Sequence, residues 1–280
     1  MKYKIEKNTV QETLIIPLYA RKVCSELYPD LYRDETAVRL IGEIDYDFSQ
    51  AEKNARGLMQ RFGSLEVAMR QNDLAFEVRD YLKDHPNGAV VNLGCGLDST
   101  GKACDNGSCS IYNLDFPDVI AVRNELLPAG EREKNIPCDL NDTAWFSQID
   151  ASKGAVFFAS GVFYYFLTEQ VKALVQAMAE AFPGGVLVFD GANRTAVKMI
   201  AKTWLKSAKI QNVGAYFAVT DAPKEIGPWD SRLQVTSRGY MLGYNDLKAP
   251  SVSGFFRFLA RVGDGMMKMQ IVKIGFGGKQ

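Results

Sequence analysis

A single histidine, His85, occurs in the 280 residues. Chemistry that needs a histidine pair, or a metal held by clustered imidazoles, is thereby excluded. The five cysteines (Cys24, Cys95, Cys104, Cys109 and Cys138) are an odd number without a dense framework, which suits a reducing compartment. Cys104 and Cys109 are the one close pair, and no second pair or neighbouring histidine completes a zinc site, so no metal is expected. An excess of one charge is lacking too. Lysine plus arginine number 33 against 33 aspartates and glutamates, which leaves no global field to recruit nucleic acid or an anionic membrane. The most apolar stretch, Ala155 to Leu167, is too short to cross a bilayer, and Met1 to Val10 has no signal-peptide core. The expectation is a cytoplasmic protein with a small-molecule partner and no nucleic-acid or membrane partner. Nothing in the pattern fixes an oligomeric state.

What is present reads as one large α/β domain. Residues 1 to about 85 have helical character. Apolar residues recur at helical spacings over Ala51 to Gln60 and over Ser64 to Lys83, where Leu65, Ala68, Met69, Ala75, Phe76, Val78 and Leu82 mark a face. His85-Pro86-Asn87-Gly88 stops the second helix. The pattern then changes to short apolar runs separated by helical stretches, as in a mostly parallel sheet with crossover helices. The runs are Ala89 to Leu93, Ser110 to Leu114, Asn135 to Cys138, Ala155 to Ala159 and Val186 to Phe189. Thr168 to Phe182 is expected to be a helix capped by Thr168 and ended by Pro183-Gly184-Gly185, and Val197 to Ala208 another. Gln234 to Gly243 and Met267 to Phe276 are expected to pair antiparallel at the end of the chain. No internal repeat or low-complexity linker appears.

Function is concentrated in the run Val90 to Thr100, a buried strand that ends in Gly94-Cys95-Gly96. In a parallel sheet this turn sits at the carboxyl end of the strand, where ligands bind. Glycine there lets the backbone turn tightly and a ligand approach it. The next strand, Ser110 to Leu114, is followed by Asp115, about twenty residues beyond Gly94, where a carboxylate can accept hydrogen bonds from both hydroxyls of an adenosine ribose. Asp139, after the third strand, can accept from an adenine amino group. A dinucleotide site would want a third glycine where this chain has Ser99, preceded by Asp98. An acidic side chain in the turn would repel a pyrophosphate but could approach a sulfonium or an ammonium group, which favours S-adenosylmethionine over a nicotinamide dinucleotide.

Taken in order, Val90 to Thr100, Asp115 to Ile120, Cys138-Asp139-Leu140 and Ser160 to Leu167 resemble the leucine carboxyl methyltransferase family. Within it they are most similar to the bacterial tetracenomycin-type polyketide O-methyltransferases. The resemblance runs from about Arg56 to Asp190. It implies a Rossmann-like class I methyltransferase with a seven-stranded, mostly parallel sheet. Residues 1–85 would be an N-terminal helical cover belonging to the same domain as a core over 86–280, with S-adenosylmethionine as the methyl donor. It further implies that Arg70 pairs with the donor's methionyl carboxylate and that Gly94 and Gly96 approach the methionyl part. Asp115 would take the ribose, Asp139 and Leu140 the adenine, and Ser160 and Gly161 would line the donor beside the transferred methyl. The chain departs from the family where Ser99-Thr100-Gly101-Lys102 replaces a common arginine and where Ser160 replaces a commonly acidic residue.

Methyl transfer from a sulfonium is an in-line displacement, so alignment and exclusion of water are the main requirements, and a base is optional. His85 precedes the first strand of the sheet and lies at the edge opposite Gly94, which removes it as a base. Tyr164 and Tyr165 follow the fourth strand at the ligand edge and are the candidates to position an acceptor. Three functional classes stay open at this point. They are a small-molecule O-methyltransferase acting on a hydroxyl or carboxylate, a methyltransferase for a protein's C-terminal carboxylate, and a non-catalytic or dinucleotide-binding Rossmann-like protein.

Overall fold

The computed structural model describes residues 2–5, 10–200 and 216–277. The helical N-terminal region contains α1 (Val10–Leu27), α2 (Glu35–Glu43), α3 (Ser49–Ala55) and α4 (Leu58–Asp84). The helix expected over Ala51 to Gln60 is divided, because Gly57 is extended (ψ 139°) and starts α4 afresh at Leu58. Also unexpected is a two-residue parallel pairing of β1 (Tyr3–Lys4) with β2 (Ile44–Asp45). Asp34 starts α2 by accepting the Ala37 N–H at 2.8 Å.

From Ala89 onward strands and helices alternate: β3 (Ala89–Leu93), α5 (Thr100–Ala103), β4 (Ser110–Asp115), α6 (Pro117–Leu126), β5 (Glu133–Pro137), β6 (Ala155–Ala159), α7 (Thr168–Ala181), β7 (Val186–Gly191), α8 (Arg194–Ile200), α9 (Ala222–Ile226), β8 (Leu233–Gly239), α10 (Gly254–Gly265) and β9 (Gln270–Phe276). Seven strands form one sheet in the order β5-β4-β3-β6-β7-β9-β8. β9 runs antiparallel to both neighbours, and the other pairings are parallel. The expected boundaries shift by a few residues at β5, β7, β8 and β9, as strand ends do when pairing rather than side-chain pattern sets them. Thr168 is the first residue of α7 and not its cap. Leu167 occupies the cap position, and its N–H is taken by Gln170 Oε1 at 2.8 Å. Of the helix expected over Val197 to Ala208, the first part lies in α8, and 201–208 fall outside the described residues.

The sheet is buried on both faces, which is why its central strands are continuous apolar runs. One face packs Val90, Ile111, Val156, Phe158 and Val188 against Leu65, Met69, Leu74 and Val78 of α4. The other packs Val91, Leu114, Phe157 and Phe189 against Trp145 and against Val171, Leu174, Val175 and Met178 of α7. A third cluster joins Leu14 and Leu18 of α1 and Leu40 and Ile41 of α2 to Val119 and Val122 of α6. The helical cover is thus bound to both the face and the ligand edge of the sheet. Among the described residues no helix is long and apolar enough to cross a membrane.

Acidic side chains enter this core at a cost. Asp73 of α4 accepts the N–H of Met241 at 2.7 Å and so holds Met241 in a left-handed conformation (φ 62°). Burial drives its carboxyl up to about 8. Asp264, in the last turn of α10, has a buried Oδ1 without a partner among the described residues, and burial raises it to about 7. A carboxyl whose folded pKa exceeds its unfolded one contributes stability that is present at low pH and is lost as pH rises through the folded value. Asp264→Asn removes that loss. The melting temperature of the variant relative to wild type should therefore rise between about pH 5 and about pH 8, a comparison that calorimetry at both pH values makes directly.

Candidate active site

At the carboxyl ends of β3, β4, β5 and β6 lies a cavity of about 420 Å³, flanked on its other side by α1 and α4. That volume is within the range of small-ligand sites. Gly94 (φ 65°) and Gly96 (φ 46°) turn the chain out of β3 in the left-handed region. A Cβ on Gly94 would come within 2.6 Å of Val162 Cγ2, so both conformation and space demand glycine there. From α6, the buried Arg123 donates through Nη1 to the carbonyls of Gly96 (2.9 Å) and Asp98 (2.7 Å) and holds the turn in shape. Spacing along the sequence gave no signal for Arg123. A buried arginine facing a glycine turn becomes recognisable only once α6 is placed.

Asp115, at the end of β4, accepts the Gly96 N–H through Oδ2 and the Phe116 N–H through Oδ1, both at 2.8 Å. Each oxygen retains a lone pair for a ligand hydroxyl. Burial raises its pKa, and the two N–H donors oppose that rise. Leu140 and Ser160 also line the cavity. Asp139 does not: it is exposed, and its Oδ1 accepts the backbone N–H and the side-chain amide of Asn141, both at 2.9 Å. Its carboxylate is used to close its own loop. Cys138 and Leu140, on either side of it, face the cavity.

Asp98 lines the cavity as well, but its carboxylate is already engaged. Oδ1 accepts Gln71 Nε2 (2.9 Å) and both the N–H and hydroxyl of Thr100 (2.7 Å each), Oδ2 accepts Asn92 Nδ2 (3.2 Å), and Arg21 lies 3.4 Å away. The expectation that Asp98 meets a ligand cation is replaced by a junction that ties α1, α4 and β3 to the turn. The helix that follows, α5, has only four residues, so no long helix presents its N-terminus to a pyrophosphate here.

At the opposite end from Asp115, Arg70 of α4 pairs with Asp190 of β7 (Nη1 to Oδ2, 3.1 Å). The Asp190 side chain is 1% exposed, and its Oδ1 accepts the Gly161 N–H at 2.6 Å. A Cβ on Gly161 (φ 71°) would meet the guanidinium at 2.9 Å, so glycine at this position leaves room for Arg70. Arg70 Nε is buried with no partner among the described residues, an unmet donor beside the cavity. Burial disfavours the guanidinium charge, yet the Asp190 carboxylate beside it raises its pKa, so the cation persists. Tyr164 is buried and Tyr165 is 43% exposed, and both line the cavity. Burial and Asp190 push the Tyr164 phenol well above its ordinary pKa, which keeps its proton in place. Asp190 and Tyr240, absent from the sequence reading, complete this end; an acid at the close of an apolar strand was the one available sign. His85 stacks on Tyr81 (ring centroids 4.3 Å apart) in the turn before β3 and does not line the cavity.

A nucleoside-shaped end with an acceptor carboxylate, a glycine turn and a cationic end fit an adenosyl amino acid, and the fold is that of the class I methyltransferases. A model of the leucine carboxyl methyltransferase family matches residues 17–179. The chain belongs to that family and is an S-adenosylmethionine-dependent methyltransferase. It is 27% identical to the tetracenomycin polyketide synthesis O-methyltransferase of Streptomyces glaucescens over 65% of this chain, a match that spans 65% of the length of that relative. It is 25% identical to an S-adenosyl-L-methionine-dependent methyltransferase of Gibberella zeae, covering 94% of this chain and 92% of the relative. The crystal structure of a methyltransferase from Thermobifida fusca shares the fold (TM-score 0.59, 15% identity, 92% of this chain and 94% of that one). So does a protein from Streptomyces avermitilis (TM-score 0.57, 12% identity, 92% and 96%).

Three outcomes follow for this site. Asp115→Ala should weaken S-adenosylhomocysteine binding by about 1.5–3 kcal/mol, the range for hydrogen bonds to a charged group, with the fold retained by circular dichroism. In wild type, calorimetric affinity should fall as acidification protonates Asp115, beginning above the ordinary carboxylate range because its pKa is raised. Arg70→Ala and Asp190→Asn should each weaken binding roughly 10-fold or more, the lower end of the same range. Unchanged affinity in both variants would remove the pair from the ligand site.

Proposed function

We propose that the chain methylates a hydroxyl or carboxylate of a small aromatic molecule of polyketide type. The observation that carries this reading is the apolar lining of the cavity: Ile16 and Pro17 of α1, Val67 of α4 and Val162, Tyr164 and Phe166 after β6 wall it with mostly apolar groups. An extended peptide would call for hydrogen-bonding groups along its backbone. Similarity to the tetracenomycin enzyme points to the same acceptor class.

In this reading Asp115 accepts from the ribose hydroxyls, the Gly94–Gly96 turn lies along the methionyl part, Leu140 packs on the adenine, and Arg70 takes the methionyl carboxylate. Ser160 and Gly161 flank the reacting methyl. When bound, S-adenosylmethionine supplies an electrophilic methyl on a sulfonium. The chain's own work is then to hold the acceptor in line and keep water out, a contribution of alignment that accounts for much of such a rate. Tyr164, with its proton retained, donates to the acceptor, and Tyr165 positions the acceptor at the rim. The cover, residues 1–85, acts as part of the same domain as the core, residues 86–280, by closing the cavity.

S-adenosylhomocysteine should raise the melting temperature, whereas NADH and NADPH should leave it unchanged. With labelled donor, methyl should pass to members of a panel of polyphenols and small aromatic carboxylates and not to peptides with a free C-terminus. Transfer to the peptides instead would assign the chain to protein carboxyl methylation.

A further inference from the structure

One turn before Arg70, Glu66 faces the same cavity, because residues four apart share a side of a helix. The donor-binding arrangement does not use it. Of the three carboxylates that line the cavity, Asp98 is saturated by protein donors and Asp115 is engaged at the glycine turn. Among the described residues no hydrogen bond or ion pair engages the Glu66 oxygens, since Arg70, the nearest cation on its own helix, is turned to Asp190. The charged and titratable groups that face Glu66 are Arg70 from α4, Asp264 from α10, Tyr240 after β8 and Tyr164 after β6. Both phenols are held protonated by burial and neighbouring negative charge, so neither competes for a proton.

We propose that Glu66 is the general base for a hydroxyl acceptor, an inference that rests on the small-molecule methyl-transfer reading above. The acceptor O–H proton passes to a Glu66 oxygen while the acceptor oxygen forms its bond to the methyl. The methyl–sulfur bond breaks with its electron pair left on sulfur, and protonated Glu66 then loses the proton to solvent. Burial raises the Glu66 carboxyl to about 7, with Arg70 pulling it down and Asp264 pushing it up. That is near the optimum for a base working at neutral pH. A carboxylate acceptor needs no base and would be repelled by an ionised Glu66, so the residue selects hydroxyls.

The test compares wild type, Glu66→Gln and Glu66→Asp at saturating donor with two acceptors from the methylated panel. One is a weakly acidic phenol and the other a nitrophenol already ionised at the assay pH. The wild-type turnover number on the weakly acidic phenol should rise with pH through about 7 as Glu66 ionises. Glu66→Gln should lose that inflection and roughly 100-fold or more in turnover, while methylating the nitrophenolate at least as fast as wild type, because a neutral amide does not repel the anion. Glu66→Asp, which keeps the carboxylate, should retain part of the activity and a pH inflection. Calorimetric affinity for S-adenosylhomocysteine should be the same in all three. Equal losses on both phenols overturn the proposal, as does weakened S-adenosylhomocysteine binding with an unchanged pH profile, which would assign Glu66 to the donor's ammonium group. Methylation of small carboxylates alone overturns the base and leaves the small-molecule reading standing. Methylation of peptide termini alone overturns both.

Discussion

The buried pair between Arg70 and Asp190 joins residues 120 positions apart and sets the geometry on which the cavity depends. Arg70 belongs to the long helix α4 of the cover, and Asp190 to β7 of the sheet. Burying two charges is costly unless their remaining hydrogen-bonding capacity is met. Asp190 meets that condition by accepting the Gly161 N–H with its second oxygen, so that the loop after β6 is fixed by the same carboxylate. Helix, strand and loop are therefore located by one anion. The guanidinium keeps an unmet donor where an anionic ligand group would satisfy it.

A second anion does the equivalent work at the other side of the glycine turn. Asp98 gathers donors from Arg21, Gln71, Asn92 and Thr100, of which Arg21 and Gln71 reach it from 77 and 27 positions away along the chain. With Arg123 holding the carbonyls of the turn, the backbone at Gly94 and Gly96 is fixed before any ligand arrives. Preorganisation of this kind lowers the ordering cost of binding. The cavity's acids are accordingly divided: Asp98 is structural, Asp115 retains acceptor capacity, and Glu66 is unengaged.

Much of this was legible along the chain. The buried strand before Gly94, the acid after the second strand, and the helix over α7 are local patterns, because alternation, helical spacing and a glycine's conformational freedom depend on neighbours only. The resemblance carried by Val90 to Thr100 and Ser160 to Leu167 is sufficient to identify the family. Asp139 was misplaced because a carboxylate after a strand can serve a ligand or its own loop with equal ease, and Asn141 two residues on decided for the loop. Asp98 was read as facing a cation because its donors lie on α1, α4 and β3, and their approach to the turn cannot be seen in its immediate sequence.

The sequence by itself determined the class of fold, the methyl donor and the glycine turn after β3, since each is written in short-range residue spacing that folding leaves intact. Only the tertiary structure decided which of the charged residues are spent on one another. Arg70 pairs with Asp190, Arg123 with Gly96, and Glu66 makes no hydrogen bond or ion pair among the described residues, because these pairings arise where α4 and α6 cross the carboxyl edge of the sheet. Burial at that crossing makes an engaged charge structural and leaves an unengaged one available for chemistry.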